Sequence, residues 1–343
     1  MLAAVYETAG SSDVLEVREV PTPEPGPGEV RVRIALSGVN PTDWKAIRRT
    51  GPGAGPFQIP NQDGAGTIES VGPGVDPSRV GQRVWLYMAA RDRQWGTAAE
   101  YSVIPAERAV ALPDSASFEL GASLGVPALT AWYCLNADRP VTTPGGPTLA
   151  ATWPPKSPLA GQRVLIAGGA GAVGHAAIEL ARFEDAELVV ATASAPEKLE
   201  LARAAGAHAV VNYRDPDAAD QIRAVAPDGV ERIVELALQA NLELDLAVAA
   251  PYAHVVVYAD DVYPEATIPI RRLMGANLTL RFMLLYVVRP EKLREAIEHV
   301  RAAVAAGALT PLPIERFPLE RVREAHDLVE AGAGARKVVL DFQ

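Results

Sequence analysis

Gly169, Gly171 and Gly174 repeat the spacing G-x-G-x-x-G. A short apolar run before them, Val164 to Ala167, reads as a buried strand that stops at Gly168 and Gly169. The Ala-rich stretch Val173 to Phe183 after them is compatible with a helix. Strand, glycine turn and helix form the arrangement in which such glycines hold a dinucleotide. Gly169 permits the tight turn, Gly171 leaves no side chain between backbone and ligand, and Gly174 lets the helix pack closely. Free N–H groups at the helix start, including those of Ala172 and Val173, then favour a pyrophosphate together with the helix dipole. The competing reading is a glycine-rich turn without a ligand, and the flanking elements weigh against it.

The end of the next strand decides between two dinucleotides. An acidic residue there would accept hydrogen bonds from a ribose 2′-hydroxyl. The chain instead reads Ala191-Thr192-Ala193-Ser194-Ala195-Pro196, with no acid before Glu197 and with Lys198 one turn after Ser194. A hydroxyl and an ammonium suit a 2′-phosphate, which an aspartate would repel. NADP(H) is the expected cofactor. The competing reading is that Ser194 caps the helix that follows and Lys198 is solvated; the capping role is compatible with binding.

The elements that must hold these residues fall into two kinds. Residues 1–110 read as short strands broken by turns: Leu2 to Tyr6, Leu15 to Val20, Val30 to Leu36, Thr67 to Val71, Arg83 to Met88 and Glu100 to Ile104. That spacing suggests a compact β-barrel-like unit. Ser117 to Leu135 is more helical. Residues 138–158 carry six prolines and two glycines, a density no regular element survives; a surface loop and a flap near a ligand cleft are both compatible with it. From Val164 onward, strands and helices alternate as a doubly wound parallel sheet, ending at the apolar strand Leu278–Leu284. An amphipathic helix, Glu291 to Ala306, a helix Leu319 to Ala331 and a strand Lys337–Phe342 close the chain.

Composition sets the limits. The 343 residues are enough for two domains, and 49% hydrophobic with 22% charged residues is ordinary for a globular protein. A net charge of -10 argues against nucleic acid or an anionic membrane as partner. The lone Cys134 excludes an intramolecular disulfide and any multi-cysteine zinc site. His175, His208, His254, His299 and His326 are scattered without metal-ligand spacing, so structural or solvated roles are expected for them. The opening residues carry no basic n-region, and no apolar run is long enough to span a bilayer, which makes a cytoplasmic location the expectation.

Several stretches together resemble one family. Ser37-Gly38-Val39-Asn40-Pro41-Thr42-Asp43-Trp44-Lys45, Pro60-Asn61-Gln62-Asp63-Gly64-Ala65-Gly66, Gly96-Thr97-Ala98-Ala99-Glu100-Tyr101, the glycine turn and Val211-Asn212-Tyr213-Arg214 resemble the zinc-independent quinone oxidoreductase branch of the medium-chain dehydrogenase/reductase superfamily. The resemblance implies an α/β fold of two domains. A GroES-like β-barrel catalytic domain would comprise 1–125 and 287–343, and a Rossmann NADP(H)-binding domain 126–286, interrupted by the insertion 138–158. Tyr213 would join Ser194 and Lys198 at the 2′-phosphate. Asn40 and Thr130 would lie near the nicotinamide, where Tyr258 also meets the cofactor; Trp44, Trp95, Tyr258 and Phe282 either line an aromatic substrate cleft or pack in the core. Zinc-dependent relatives carry Cys at the position of Asn40 and Gly-His-Glu at Asn61-Gln62-Asp63, so metal-free chemistry is implied. Lys45 stands where many relatives have Tyr; it either steadies an enolate oxygen or is a solvated helix residue. Relatives often read Gly-Lys before the last strand, where the backbone approaches the cofactor; here it is Arg336-Lys337.

The implied activity is NADPH-dependent reduction of a quinone, or alternatively of an enone C=C bond, in a homodimer paired through the Leu278–Leu284 edge. A non-enzymatic nucleotide-binding scaffold is the third reading, disfavoured by the intact glycine turn and the Ser194/Lys198 pair.

Overall fold

The computed structural model describes residues 1–53, 55–138, 159–259 and 265–342. Of the proline-rich excursion only Asp138 is among them. The chain divides into two compact units, Met1–Pro127 with Val304–Gln343, and Ala128–Ala303.

In chain order the elements are β1 (Leu2–Val5), β2 (Glu16–Glu19), β3 (Glu29–Gly38), α1 (Pro41–Arg49), β4 (Asp63–Val71), β5 (Arg83–Leu86), β6 (Tyr101–Pro105), β7 (Ala109–Ala111) and α2 (Phe118–Asn136). Then come β8 (Arg163–Ile166), α3 (Ala172–Phe183), β9 (Leu188–Ala193), α4 (Pro196–Ala204), β10 (Ala209–Asn212), α5 (Ala218–Val225), β11 (Val230–Glu235), α6 (Leu238–Val248), β12 (Ala249–Val257), α7 (Ile270–Ala276), β13 (Thr279–Phe282) and α8 (Pro290–Ala305). The chain closes with β14 (Ile314–Pro318), α9 (Val322–Glu330) and β15 (Lys337–Asp341).

The first unit is built on β3. Its residues alternate, with Val30, Val32, Ile34 and Leu36 buried and the intervening positions facing outward, as a period of two requires. Seven strands form one mixed sheet in the order β14-β15-β3-β4-β5-β7, and β6 pairs with β3 off that path. Only β14 and β15 run parallel in it. At its C-terminal end β3 is flanked by two chain-distant strands: Gly38 pairs with Asp63 on β4 and with Val339 on β15. That register brings residues near 40, 63 and 337 together.

The second unit is an all-parallel sheet in the order β10-β9-β8-β11-β12-β13. Numbered from β8 as 1, this is 3-2-1-4-5-6, the doubly wound dinucleotide-binding order. Val164, Leu165 and Ile166 are all buried, because helices cover both faces of such a sheet and its inner strands read as apolar runs.

Three elements escape the sequence pattern. α1 begins directly at Asn40-Pro41, with Pro41 set into the first turn, where its missing N–H costs nothing. β14 is flanked by prolines, which demote a strand except at a sheet edge, and the edge is where it lies. α7 is a short helix that precedes β13. The expected single helix from Leu319 is a 3-10 turn, Leu319–Arg321, followed by α9. The expected first-domain segment from residue 287 also differs: α8 groups with the parallel-sheet unit as far as Ala303. The reason is local packing. Lys292 sits over the Trp132 ring at 4.8 Å, and the His299 ring lies 5.2 Å from the same indole.

Candidate active site: a nucleotide cradle and a clamped amide

In the second unit the glycine turn has one departure from expectation. The residue in the left-handed region is Gly168, at φ +66°, so it makes the tight turn rather than Gly169. Gly169 is needed for space, since a Cβ there would come within 2.8 Å of the Ala191 Cβ. A Cβ on Gly174 would lie 2.2 Å from the Gly168 carbonyl oxygen, so the helix can approach the turn only as glycine. Gly171 is the N-cap of α3, and the first helical bond runs from the His175 N–H to the Gly171 carbonyl at 2.8 Å. The N–H groups of Ala172, Val173 and Gly174 therefore have no acceptor within the helix. A pyrophosphate fits such a cradle.

The end of β9 lies beside the end of β10, with Asn212 opposite Ala193. The Tyr213 N–H donates to the Ala193 carbonyl at 3.2 Å, which sets Tyr213 beside Ser194. Ser194 is not the helix cap: Ala195 is, and its carbonyl accepts from the Lys198 N–H at 3.0 Å. Ser194 and Lys198 are half-buried and Tyr213 is exposed, with the Arg214 guanidinium over its ring. Thus Ser194 and Lys198, from one stretch, and Tyr213, from another, come to one corner of the sheet.

Thr130 is buried on α2. The Tyr258 N–H donates to the Glu235 carbonyl at the end of β11. Glu235 itself escapes the sequence reading. It is buried, accepts from Asn241 Nδ2 at 2.9 Å, and packs beside the buried Asp245; burial pushes both carboxyls above their ordinary range.

In the first unit Asn40 is the N-cap of α1 and is buried. Its backbone N–H donates to Asp43 Oδ2 at 2.7 Å, a reciprocal cap of the helix start. Its side-chain amide donates to Asp63 Oδ2 at 2.7 Å and accepts from Lys337 Nζ at 2.7 Å. Asp63 also accepts from the Val126 N–H at 2.9 Å, beside Pro127, where the helical ladder of α2 is broken. The Asp43 carboxyl accepts a further bond from the Gln62 N–H at 3.1 Å. Burial pushes Asp43 up to about 8, with the neighbouring Asp63 charge adding to it, and burial pushes Asp63 up to about 6 against the pull of Lys337. Lys45 is half-buried on α1, with its ammonium 5.5 Å from the centre of the Trp44 ring. Trp44 and Trp95 pack against the core of the first unit, Trp95 edge-on to Phe57 at 6.0 Å. Phe282, by contrast, is strongly exposed on β13.

The chain matches two family models, an alcohol dehydrogenase GroES-like domain over residues 26–114 and a zinc-binding dehydrogenase over residues 172–302. The Homo sapiens quinone oxidoreductase is 29% identical over 338 residues, spanning 96% of this chain and 94% of that protein. A solved NAD-dependent alcohol dehydrogenase superposes with a TM-score of 0.84 at 26% identity, covering 100% of both chains. The chain belongs to the medium-chain dehydrogenase/reductase superfamily. A mycobacterial protein solved in complex with NADPH gives a TM-score of 0.80 at 26% identity, covering 99% of this chain and 100% of that one. Within the superfamily the chain stands in the zinc-independent, quinone oxidoreductase-like branch. The donor set agrees: an amide and an amide-bearing Gln62 occupy positions where zinc-dependent members place Cys and His, and neither is a good zinc ligand. Among the described residues no group of three His, Cys, Asp or Glu side chains could hold a metal ion, and no helix is long and apolar enough to cross a membrane.

The sequence motif pointed to the glycine turn and to the corner of Ser194 and Lys198. It did not give Lys337 a side-chain role. The signal was present, since a lysine opens an otherwise apolar strand, Lys337-Val338-Val339-Leu340, where a solvated residue would ordinarily stand.

Proposed function

We propose that this protein is an NADPH-dependent quinone reductase that works without a metal. The observation that carries the proposal is the amide at position 40, bonded to Lys337 and Asp63 in place of a zinc-ligating thiolate. Without a Lewis acid the acceptor must bring its own electrophilicity, and a quinone does. The α3 N-terminus would hold the pyrophosphate, and Ser194, Lys198 and Tyr213 the 2′-phosphate. Thr130 and Tyr258 would meet the nicotinamide half. When bound, the nicotinamide supplies a hydride; the quinone takes it with a proton from solvent and becomes the hydroquinone. The work of this chain is then to orient and to exclude water. Asn40 offers an amide N–H to the substrate oxygen, where negative charge develops.

Lys45 favours a second reading, reduction of enones, in which its ammonium steadies an enolate oxygen. NADPH oxidation measured against a panel of quinones, enones and aldehydes separates the two. Quinone turnover is expected, and activity confined to enones would sink the first reading.

A cytoplasmic homodimer completes the proposal. β13 is the edge of the parallel sheet, with unpaired backbone groups on its outer side. Ile270, Met274, Phe282, Leu284 and Val287 are exposed in and beside it, an apolar surface suited to a second copy across a two-fold axis. Light scattering at micromolar concentration should return twice the 36.3 kDa chain mass; a monomer mass counts against the pairing.

A further inference from the structure

The Asn40 side chain lies between two groups of opposite chemistry. An ammonium can only donate hydrogen bonds, and an ionised carboxylate can only accept them. Lys337 Nζ is 2.7 Å from Asn40 Oδ1, and Asn40 Nδ2 is 2.7 Å from Asp63 Oδ2. Only one amide orientation satisfies both. Turned over, the NH2 group would face the ammonium and the oxygen would face the carboxylate. Once Asp63 is satisfied, one Nδ2 hydrogen remains.

We propose that Lys337 and Asp63 are positioning residues for the reaction: they fix which way the Asn40 amide faces, so that its remaining N–H is presented to the substrate oxygen. This rests on the reading of Asn40 as the substrate's hydrogen-bond donor.

The clamp is built and rigid. Asn40, Asp63 and Lys337 are 2%, 0% and 2% exposed, so water cannot replace either partner. Lys337 is held at the start of β15, and Nζ also donates to the Val39 carbonyl at 3.3 Å. A Cβ on Gly38 would come within 3.1 Å of Nζ and 2.2 Å of the Ala122 carbonyl oxygen, so the ammonium has little room to move. Packing alone does not call for these charges. An apolar pair of similar volume would fill the space without the cost of desolvating two ions.

The arrangement also carries a pH dependence. The charged and titratable groups acting on Asp63 and its partner Asp43 are Lys337 from β15, Asp43 itself from α1, and Tyr6, whose phenol is raised in part by Asp43. Burial holds Asp63 up at about 6. Below that, a protonated Asp63 can donate as well as accept, so one of the two constraints on the amide's orientation is lost and only Lys337 still holds it. Turnover should therefore fall on the acid side with an apparent pKa near that of the cluster.

The test uses the full chain with Asn40→Ala, Lys337→Met, Asp63→Asn and the double variant Asn40→Ala/Lys337→Met. The readouts are kcat/KM for the best quinone across the acid limb, and NADPH affinity by fluorescence titration. Each single change should lower kcat/KM by roughly 10- to 100-fold, the scale of a misplaced reacting group, and leave NADPH affinity unchanged. The double variant should be no worse than Asn40→Ala alone, and the acid limb should vanish in Asp63→Asn. If Asn40→Ala is impaired but Lys337→Met multiplies that loss, or if the acid limb survives in Asp63→Asn, the positioning role is overturned. Wild-type kcat/KM in Asn40→Ala overturns the reading of Asn40 itself. Should Lys337→Met fail to fold, Lys337→Met/Asp63→Asn removes both buried charges together and carries the same expectation.

Discussion

Lys198→Ala weakens NADPH binding by roughly 10- to 100-fold and leaves NADH binding nearly unchanged. A hydrogen bond to a charged group contributes about 1.5–3 kcal/mol net, and about 1.4 kcal/mol is a factor of ten in affinity. The 2′-phosphate is the only group by which the two cofactors differ, so the loss should fall on one of them. Lys198 is the third residue of α4, in the turn where the helix dipole also favours an anion, and the backbone bond from Lys198 to Ala195 holds it there. Isothermal titration with both cofactors decides the matter. Equal weakening of NADH and NADPH would refute the phosphate site, because it would mean that Lys198 supports the fold of the corner and not the phosphate.

His326 costs the first unit about 3 kcal/mol of stability between neutrality and pH 4, and His326→Leu should remove that contribution, read as the difference between variant and parent. His326 is fully buried on α9 among Val322, Ala325 and Val329, and both ring nitrogens lack a hydrogen-bond partner among the described residues. Burial drives the imidazole from 6.5 down to about 4. As pH falls below 6.5 the unfolded chain takes up a proton at this histidine, and the folded chain does not until about 4. The unfolded state binds more protons across that window, so stability is lost as pH falls through it. The separation is about 2.5 pH units at about 1.4 kcal/mol each. Denaturant unfolding at pH 7 and near pH 4, for both proteins, measures it. A variant with the same acid sensitivity as the parent would assign the loss to other groups.

The place of Lys198 was legible in the chain because its setting is local: a strand end, a missing acid and a helix start lie within eight residues, Ala191 to Lys198. The glycine turn is local in the same way. Even there the sequence named Gly169 for the turn, while backbone geometry gave that task to Gly168 and left Gly169 as a matter of space. His326 could be placed on a helix but not given an environment, because helical position says nothing about which neighbours enclose a ring.

Periodicity found most strands and helices of the parallel sheet, since each is long and flanked by turns. It missed α1 and β14, where prolines sit at the ends of short elements and mask the pattern. Tyr213 needed the resemblance to reach the phosphate corner. Only the pairing of β10 with β9 sets its backbone beside Ser194.

By itself the sequence determined the class of cofactor, the doubly wound sheet and the loss of the zinc-ligating thiolate, since each depends on residue types close together in the chain. The tertiary structure decided what replaces that thiolate. Asn40, Asp63 and Lys337 lie far apart in sequence, and they meet because β3 pairs with β4 along one edge and with β15 along the other. Hydrogen-bond polarity then gives the amide a single orientation, a property of three side chains together that none of them carries alone.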